Sequence, residues 1–280
     1  MTVVDRIGRS NERLTPAERR VAEAIVDDPS AVAFGTVAEL ARRAGASGPS
    51  VLRLAGKLGF GGYVELQAAV QDELAVQLRP AVERIRSSGQ ARPLDRALEL
   101  EVANVRTTLG GVDPATYARV VALLADRRRG VHVLSGEASA GVAAMVAGEL
   151  DLLRDGVSVL DGSPVAVARR MAAVDAGDVV LAVELRRYER WVLDAASAAV
   201  AAGAELVAVT DSPLSPLAEG AAAVLVVAAA GAGPFDSHVG TLALGNALVA
   251  GVAARLRTTA AGRLDAVEAA WSATGALVDR

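Results

Sequence analysis

Three sets of side chains in this sequence have the types and spacing to do chemistry. Ser47, Ser50, Arg53 and Lys57 put short hydroxyls one turn ahead of long cations, with Pro49 in the same first turn and Thr36 opening the segment. On one helix face that combination bonds phosphates and guanine edges in a major groove; on an ordinary helix it is a solvated charged face. Glu184, Arg186, Arg187 and Tyr188 bring two adjacent guanidiniums to one short stretch, with Arg190 a turn further. Such a pair holds a carboxylate or phosphate bidentately, or else it pairs with Glu184, Glu189 or Glu137 and closes an empty site. Gly136, Glu137 and Ser139, then Asp211, then Ser237 and His238 stand in three further turns that follow apolar runs. Glu137 and Glu184 beside arginines also suit a zwitterion, such as an amino-acid derivative or an amino sugar. Tyr188 and Trp191 offer rings for stacking or for packing.

Other chemistries are excluded by what is missing. With no Cys and two His in 280 residues, neither a disulfide framework nor a Cys-ligated metal site is available, and no metal or cofactor is expected. His132 falls inside an apolar run and reads as a packed core residue; His238 stands at a helix start, lining a site or capping the helix. Glu137, Glu184 and His238 are the candidates for a proton-transferring base, chosen by location alone, so no enzyme activity is expected. The formal net charge of −4 argues mildly against nucleic acid. Its distribution reverses that: residues 36–62 carry Arg42, Arg43, Arg53 and Lys57 against Glu39, while Glu23, Asp27, Asp28, Asp72 and Glu73 fall outside. The first residues lack an apolar signal core, and the longest apolar stretch, 221–232, is too short for a bilayer. A cytoplasmic protein without a membrane partner is expected.

Elements must hold these groups in place. Residues 1–78 read as short helices without strand alternation. Thr15-Pro16-Ala17-Glu18 is a capping box with Pro at the first helical position; Val21, Ala24 and Ile25 form the stripe, and Asp28-Pro29 ends the helix. Val37, Leu40, Ala41 and Ala44 give a second inner face, Gly45 permits a sharp left-handed stop, and Ser47 caps the next helix. There Val51, Leu54, Ala55 and Leu58 face inward, which predicts Ser50, Arg53 and Lys57 together on the outer face. A helix over 62–78 follows, then a polar stretch, 79–96, with two prolines and Ser-Ser-Gly, read as a linker. Residues 97–258 form the second domain, opened by helices over 94–109 and 114–126. Tyr117, in the second of these, carries no legible signal. From Gly130 apolar runs at 131–135, 157–160, 178–183, 205–210 and 223–228 alternate with Ala-rich helices. This is an α/β domain with a five-stranded parallel sheet covered on both faces, doubly wound. An apolar helix over 237–256 packs on the sheet or on a second subunit, and 259–280 is a C-terminal helical tail.

The stretches TPAERRVAEAI and TVAELARRAGASGPSVLRLAGKLGFGGYVEL resemble the helix-turn-helix domain of the RpiR family of transcription regulators, and residues 112–258 are similar to the sugar isomerase (SIS) domain that follows it there. The resemblance implies that Ser47, Ser50, Arg53 and Lys57 touch DNA, and that Gly59, Phe60 and Tyr63 fix the next helix. It also implies a phosphosugar site built from a Gly-x-Gly-x-Ser loop and a later Ser-rich loop. Gly136 and Ser139 match the first loop, Ala138 replaces its second glycine and Glu137 adds a charge; the second loop is replaced by Glu184, Arg186, Arg187 and Tyr188. The expectation is a DNA-binding regulator, homodimeric or homotetrameric, on a pseudo-palindromic double-stranded operator. A small anionic effector (sugar phosphate, sugar acid or amino-acid-like) would modulate it by shifting the placement of the two helix-turn-helix units, with residues 86–93 taking up the motion. The alternatives are a constitutive dimeric DNA-binding protein with a degenerate pocket and a sugar-phosphate isomerase.

Overall fold

The computed structural model describes residues 3–10, 14–27, 29–33, 35–78, 85, 93–213 and 215–277. The chain divides into two compact units, Met1–Arg84 and Ile85–Arg280.

The first unit is helical: α1 (Val3–Ser10), α2 (Pro16–Asp27), α3 (Pro29–Ala33), α4 (Val37–Arg43), α5 (Gly48–Lys57) and α6 (Tyr63–Leu78). Val21, Ile25, Leu40, Val51, Leu54, Leu58 and Leu66 meet in its core, each Leu or Ile contributing about 1.5–3 kcal/mol by leaving water. Between α4 and α5 the chain turns at Gly45, whose φ of 54° lies in the left-handed region where a Cβ is disfavoured. Phe60 and Tyr63 are buried, and the Tyr63 hydroxyl donates to the carbonyls of Val32 (3.3 Å) and Gly35 (3.2 Å), tying α6 to the approach of α4.

The second unit opens with α7 (Pro93–Gly111), which starts inside the stretch read as a linker because Pro93 is a favourable first helical residue. The rest of that stretch, apart from Ile85, lies outside the described residues. Then come α8 (Pro114–Ala125), β1 (Val131–Ser135), a 3-10 turn (Glu137–Ser139), α9 (Ala140–Leu153), β2 (Val157–Leu160), α10 (Pro164–Met171), β3 (Val179–Val183), α11 (Arg190–Ala201), β4 (Glu205–Thr210), a second 3-10 turn (Pro216–Ala218), β5 (Ala223–Val226), α12 (Val239–Arg255) and α13 (Arg257–Thr274). The five strands are all parallel in the order β2-β1-β3-β4-β5. Alternate residues point to opposite faces: Val133, Leu181, Val207 and Leu225 meet α8, α9 and α12 on one side, and Leu134, Val180, Leu206 and Ala208 meet α10 and α11 on the other. The apolar helix near the end, α12, packs against α7, α8 and α9. Tyr117 helps to hold it, its hydroxyl donating to Ala247 O at 2.7 Å. His132 is not an apolar core residue: half-buried, it bridges Ser158 Oγ (2.8 Å) and Asp178 Oδ2 (3.1 Å). The strand order reverses between β1 and β3, and the switch point beyond the C-terminal ends of such a pair is where open α/β sheets place their ligand crevice. Among the described residues no single helix is long and apolar enough to cross a membrane.

Candidate functional site

The first candidate surface is α5. Thr36 caps α4 in a reciprocal box: its Oγ1 accepts from Glu39 N (3.3 Å), and Glu39 Oε2 accepts from Thr36 N (2.8 Å). That pairing holds the Glu39 carboxyl below the usual range. Arg20 of α2 reaches across to the turn, donating to Ala44 O (3.2 Å) and Gly45 O (3.0 Å). Arg6 donates to Leu58 O (3.0 Å) and lies over the Phe60 ring. The position of α5 is therefore fixed at both ends by arginines from earlier helices, which the sequence analysis did not identify.

Along α5, Ser47 and Pro49 are exposed and Arg53 and Lys57 reach the surface, with side chains 59% and 37% exposed. Ser50 departs from expectation. It is 3% exposed, because position 50 lies one turn before Leu54 on the same face of the helix. Its hydroxyl meets Ser47 Oγ at 3.0 Å and accepts from Arg53 Nη2 at 2.9 Å. Ser47 stands at the N-cap, yet its side chain makes no capping bond and turns to Ser50 instead. Both cations converge on Glu18: Lys57 Nζ lies 2.7 Å from Oε2 and Arg53 Nε 3.7 Å from Oε1. Glu18, 1% exposed, also accepts from Thr15 N at 2.8 Å. The Lys57 hydrogen bond, followed by the Thr15 amide, pulls its pKa down to about 2. The capping box was legible in sequence; the pairing across 39 residues was not.

The second candidate site is the β1/β3 crevice, where Gly136 and Glu184 come together. Glu184, 4% exposed, accepts from Gly136 N at 2.7 Å and from Glu189 N at 3.2 Å. Glu189 in turn accepts from Glu137 N at 2.6 Å and from Trp191 Nε1 at 2.5 Å. Two successive amides, the kind of donors that cradle an anion, are thus occupied by carboxylates of the chain. A Cβ at Gly136 would run into both of them. Burial pushes the Glu184 carboxyl up, and the two amide bonds oppose it.

The paired-arginine expectation is corrected. Arg186 is taken by Asp236, with Nε at 3.1 Å and Nη2 at 2.5 Å from its two oxygens, because the turn before α12 folds back over the end of β3. Arg187 stands apart: it is exposed, has no carboxylate partner among the described residues, and is held at φ 67°, a costly conformation for a residue with a Cβ. Tyr188 donates to Asp211 Oδ1 at 2.8 Å, and its pKa is pushed up to about 12, first by burial. Ser237 is buried, donates to Glu101 and accepts from Val239 N at 3.1 Å, so it serves α7 and α12 rather than standing open. Ser139 is buried and Glu137 exposed. Half-buried His238 has its pKa lowered by burial. Its Nδ1, with the Thr210 and Thr241 hydroxyls, lacks a hydrogen-bond partner among the described residues. No group of three or more His, Asp or Glu among those residues is placed to hold a metal ion.

Residues 1–77 match the model of the helix-turn-helix domain of the rpiR family, and residues 125–251 that of the SIS domain. An uncharacterised HTH-type transcriptional regulator of Haemophilus influenzae is 29% identical over 80% of this chain and 79% of its own. The sugar isomerase domain of an RpiR transcription factor from Sphaerobacter thermophilus is 30% identical, covers 64% of this chain and 99% of that one, and superposes with a TM-score of 0.59. The NanR protein of Vibrio vulnificus, solved with ManNAc-6P, shares the fold over 99% of this chain and 100% of that one, with a TM-score of 0.59 at 22% identity.

Proposed function

We propose, since this chain belongs to the RpiR family of transcription regulators, that it binds a pseudo-palindromic operator through α5 and that a small metabolite at the strand ends of its SIS domain modulates that binding. The observation that carries the DNA half is the build of α5: Val51, Leu54, Ala55 and Leu58 are buried, while Arg53 and Lys57 reach solvent from one buried carboxylate. Duplex phosphates compete with Glu18 for both cations. Two copies, joined through their α/β domains, present two such helices to successive major-groove faces.

For the metabolite, the side chains favour an amino-acid-like or amino-sugar ligand over a simple sugar phosphate or sugar acid. Glu137, Glu184, Glu189, Asp211 and Asp236 gather at these turns against Arg186 and Arg187, and the two amides that would greet an anion are already filled. An amine suits the acids, and Arg187 is left for an anionic group on the same molecule. The same filled amides favour a second reading, a constitutive DNA-binding protein whose pocket is closed by its own carboxylates.

A gel shift with the intergenic DNA beside the protein's own gene tests the DNA half. Arg53→Ala with Lys57→Ala should weaken binding at least about tenfold and leave the assembly state by size exclusion unchanged. Undiminished binding would remove α5 as the reading helix. Arg187→Ala should leave operator binding intact and abolish the response to ligand.

A further inference from the structure

At the opposite end of the sheet lies a group of arginines that the regulator reading does not use. A hollow of about 580 Å³ opens there, within the range of small-molecule sites. Arg119 on α8, Arg127, Arg128 and Arg129 on the turn entering β1, and Arg255 at the end of α12 line it, with Asp126 as the one lining carboxylate. Helix C-termini favour cations, and that accounts for Arg255 in the last turn of α12. It also accounts for Arg154, 1% exposed, which donates to the carbonyls of Leu124 (2.5 Å), Asp126 (3.1 Å) and Arg129 and so satisfies the end of α8. It does not account for Arg119, well inside α8, or for Arg127 and Arg128 beyond it.

The acids nearby do not balance this charge. Asp126 is shared by Arg128 (2.8 Å) and Arg129 (3.3 Å), Asp155 by Arg127 (3.2 Å) and Arg263, and Glu205 stands 3.8 Å from Arg119. Arg255 has no carboxylate partner among the described residues. The buried guanidinium of Arg154 adds a further positive charge nearby, hydrogen-bonded to carbonyls, with Asp126, Asp155 and Asp178 acting on it only through space. Guanidiniums converging on a concave wall bind phosphate and carboxylate groups bidentately.

We propose that this hollow is a second ligand site, for a compact, multiply charged anion of the phosphorylated or polycarboxylate class, separate from the crevice between β1 and β3. Walls from three elements suit such an anion rather than a duplex backbone. Leu123 and Leu256 supply the apolar part of the lining.

Calorimetric titration of the full chain with pyrophosphate and with citrate, at matched ionic strength against chloride, tests it. Saturable binding of either is expected, weakened at least tenfold in Arg119→Gln with Arg255→Gln and unchanged in Arg187→Ala, while operator affinity of the double variant stays at the wild-type value. Pyrophosphate against citrate separates phosphate from carboxylate chemistry. No saturable binding, or binding that survives the double variant, would overturn the proposal. So would loss in Arg187→Ala alone, which would place the anion at the other end of the strands, and loss of operator affinity without loss of anion binding, which would make the arginines a DNA surface.

Discussion

Glu18 is where the stability of the helical unit meets the DNA contacts proposed for Arg53 and Lys57. Its carboxylate is held by Lys57 first and the Thr15 amide second, and its pKa is about 2. A folded-state pKa below the unfolded value means stability that is full above about pH 4.5 and is lost as pH falls through that window towards 2. Amide protection factors over residues 16–70, taken against the intrinsic exchange rate at each pH, should therefore fall in that range before those of the sheet do. Glu18→Gln removes the charge but keeps the shape. It should cost the helical unit about 1–3 kcal/mol, read by the same exchange, and raise low-salt affinity for non-operator DNA several-fold, because Arg53 and Lys57 then face phosphate without a competitor. Unchanged affinity in a folded variant would mean that Glu18 does not restrain them. Ser50 shows why such detail escapes sequence reading. Helical spacing from Val51 and Leu54 placed it on the outer face with Arg53 and Lys57, and the packing of α5 against α2 and α4 buries it instead.

At the scale of elements the sequence was most transparent where a single physical rule governs. The runs at 131–135, 157–160 and 205–210 are strands with those bounds, and 178–183 and 223–228 differ by one or two residues at an end, since parallel strands buried on both faces must be continuously apolar. Strand order is another matter, because no local pattern states that β1 neighbours both β2 and β3. That adjacency is what sets Glu184 on the Gly136 amide, and it explains why two turns that each looked open to an anion close on one another. The contact makes Gly136 a sensitive position although its φ is ordinary. Gly136→Ala should drive the Glu184 and Glu189 carboxylates off the amides and destabilise the second unit by about 1–3 kcal/mol. The Trp191 indole, which donates to Glu189, supplies a fluorescence reporter for urea unfolding. A variant with wild-type stability and an unshifted Trp191 emission would show that the amides hold their carboxylates loosely.

Across the whole molecule, charge is divided unevenly. The helical unit carries eleven basic and eleven acidic residues, so the entire net charge of −4 belongs to the second unit. Overall charge therefore does not draw the protein to DNA, and on the proposed reading operator affinity comes from a few local groups such as Arg53 and Lys57, which predicts a shallow salt dependence because few phosphates are engaged. Regulation adds a further constraint. On the proposed reading a metabolite alters operator binding only by preferring one arrangement of the regulator, typically by about 1–3 kcal/mol, or a factor of about 5–150, and the operator must then change metabolite affinity by the same factor. Melting curves across a panel of amino acids, amino sugars and sugar phosphates should identify an amine-bearing compound that raises the transition of the second unit. Titrating that compound with and without operator DNA should give reciprocal shifts of equal size. A panel in which no compound moves the transition would instead support the constitutive reading, with Glu184 and Glu189 as the permanent occupants of the crevice. A neutral sugar as the tightest ligand would remove the zwitterion reading while leaving the regulator intact.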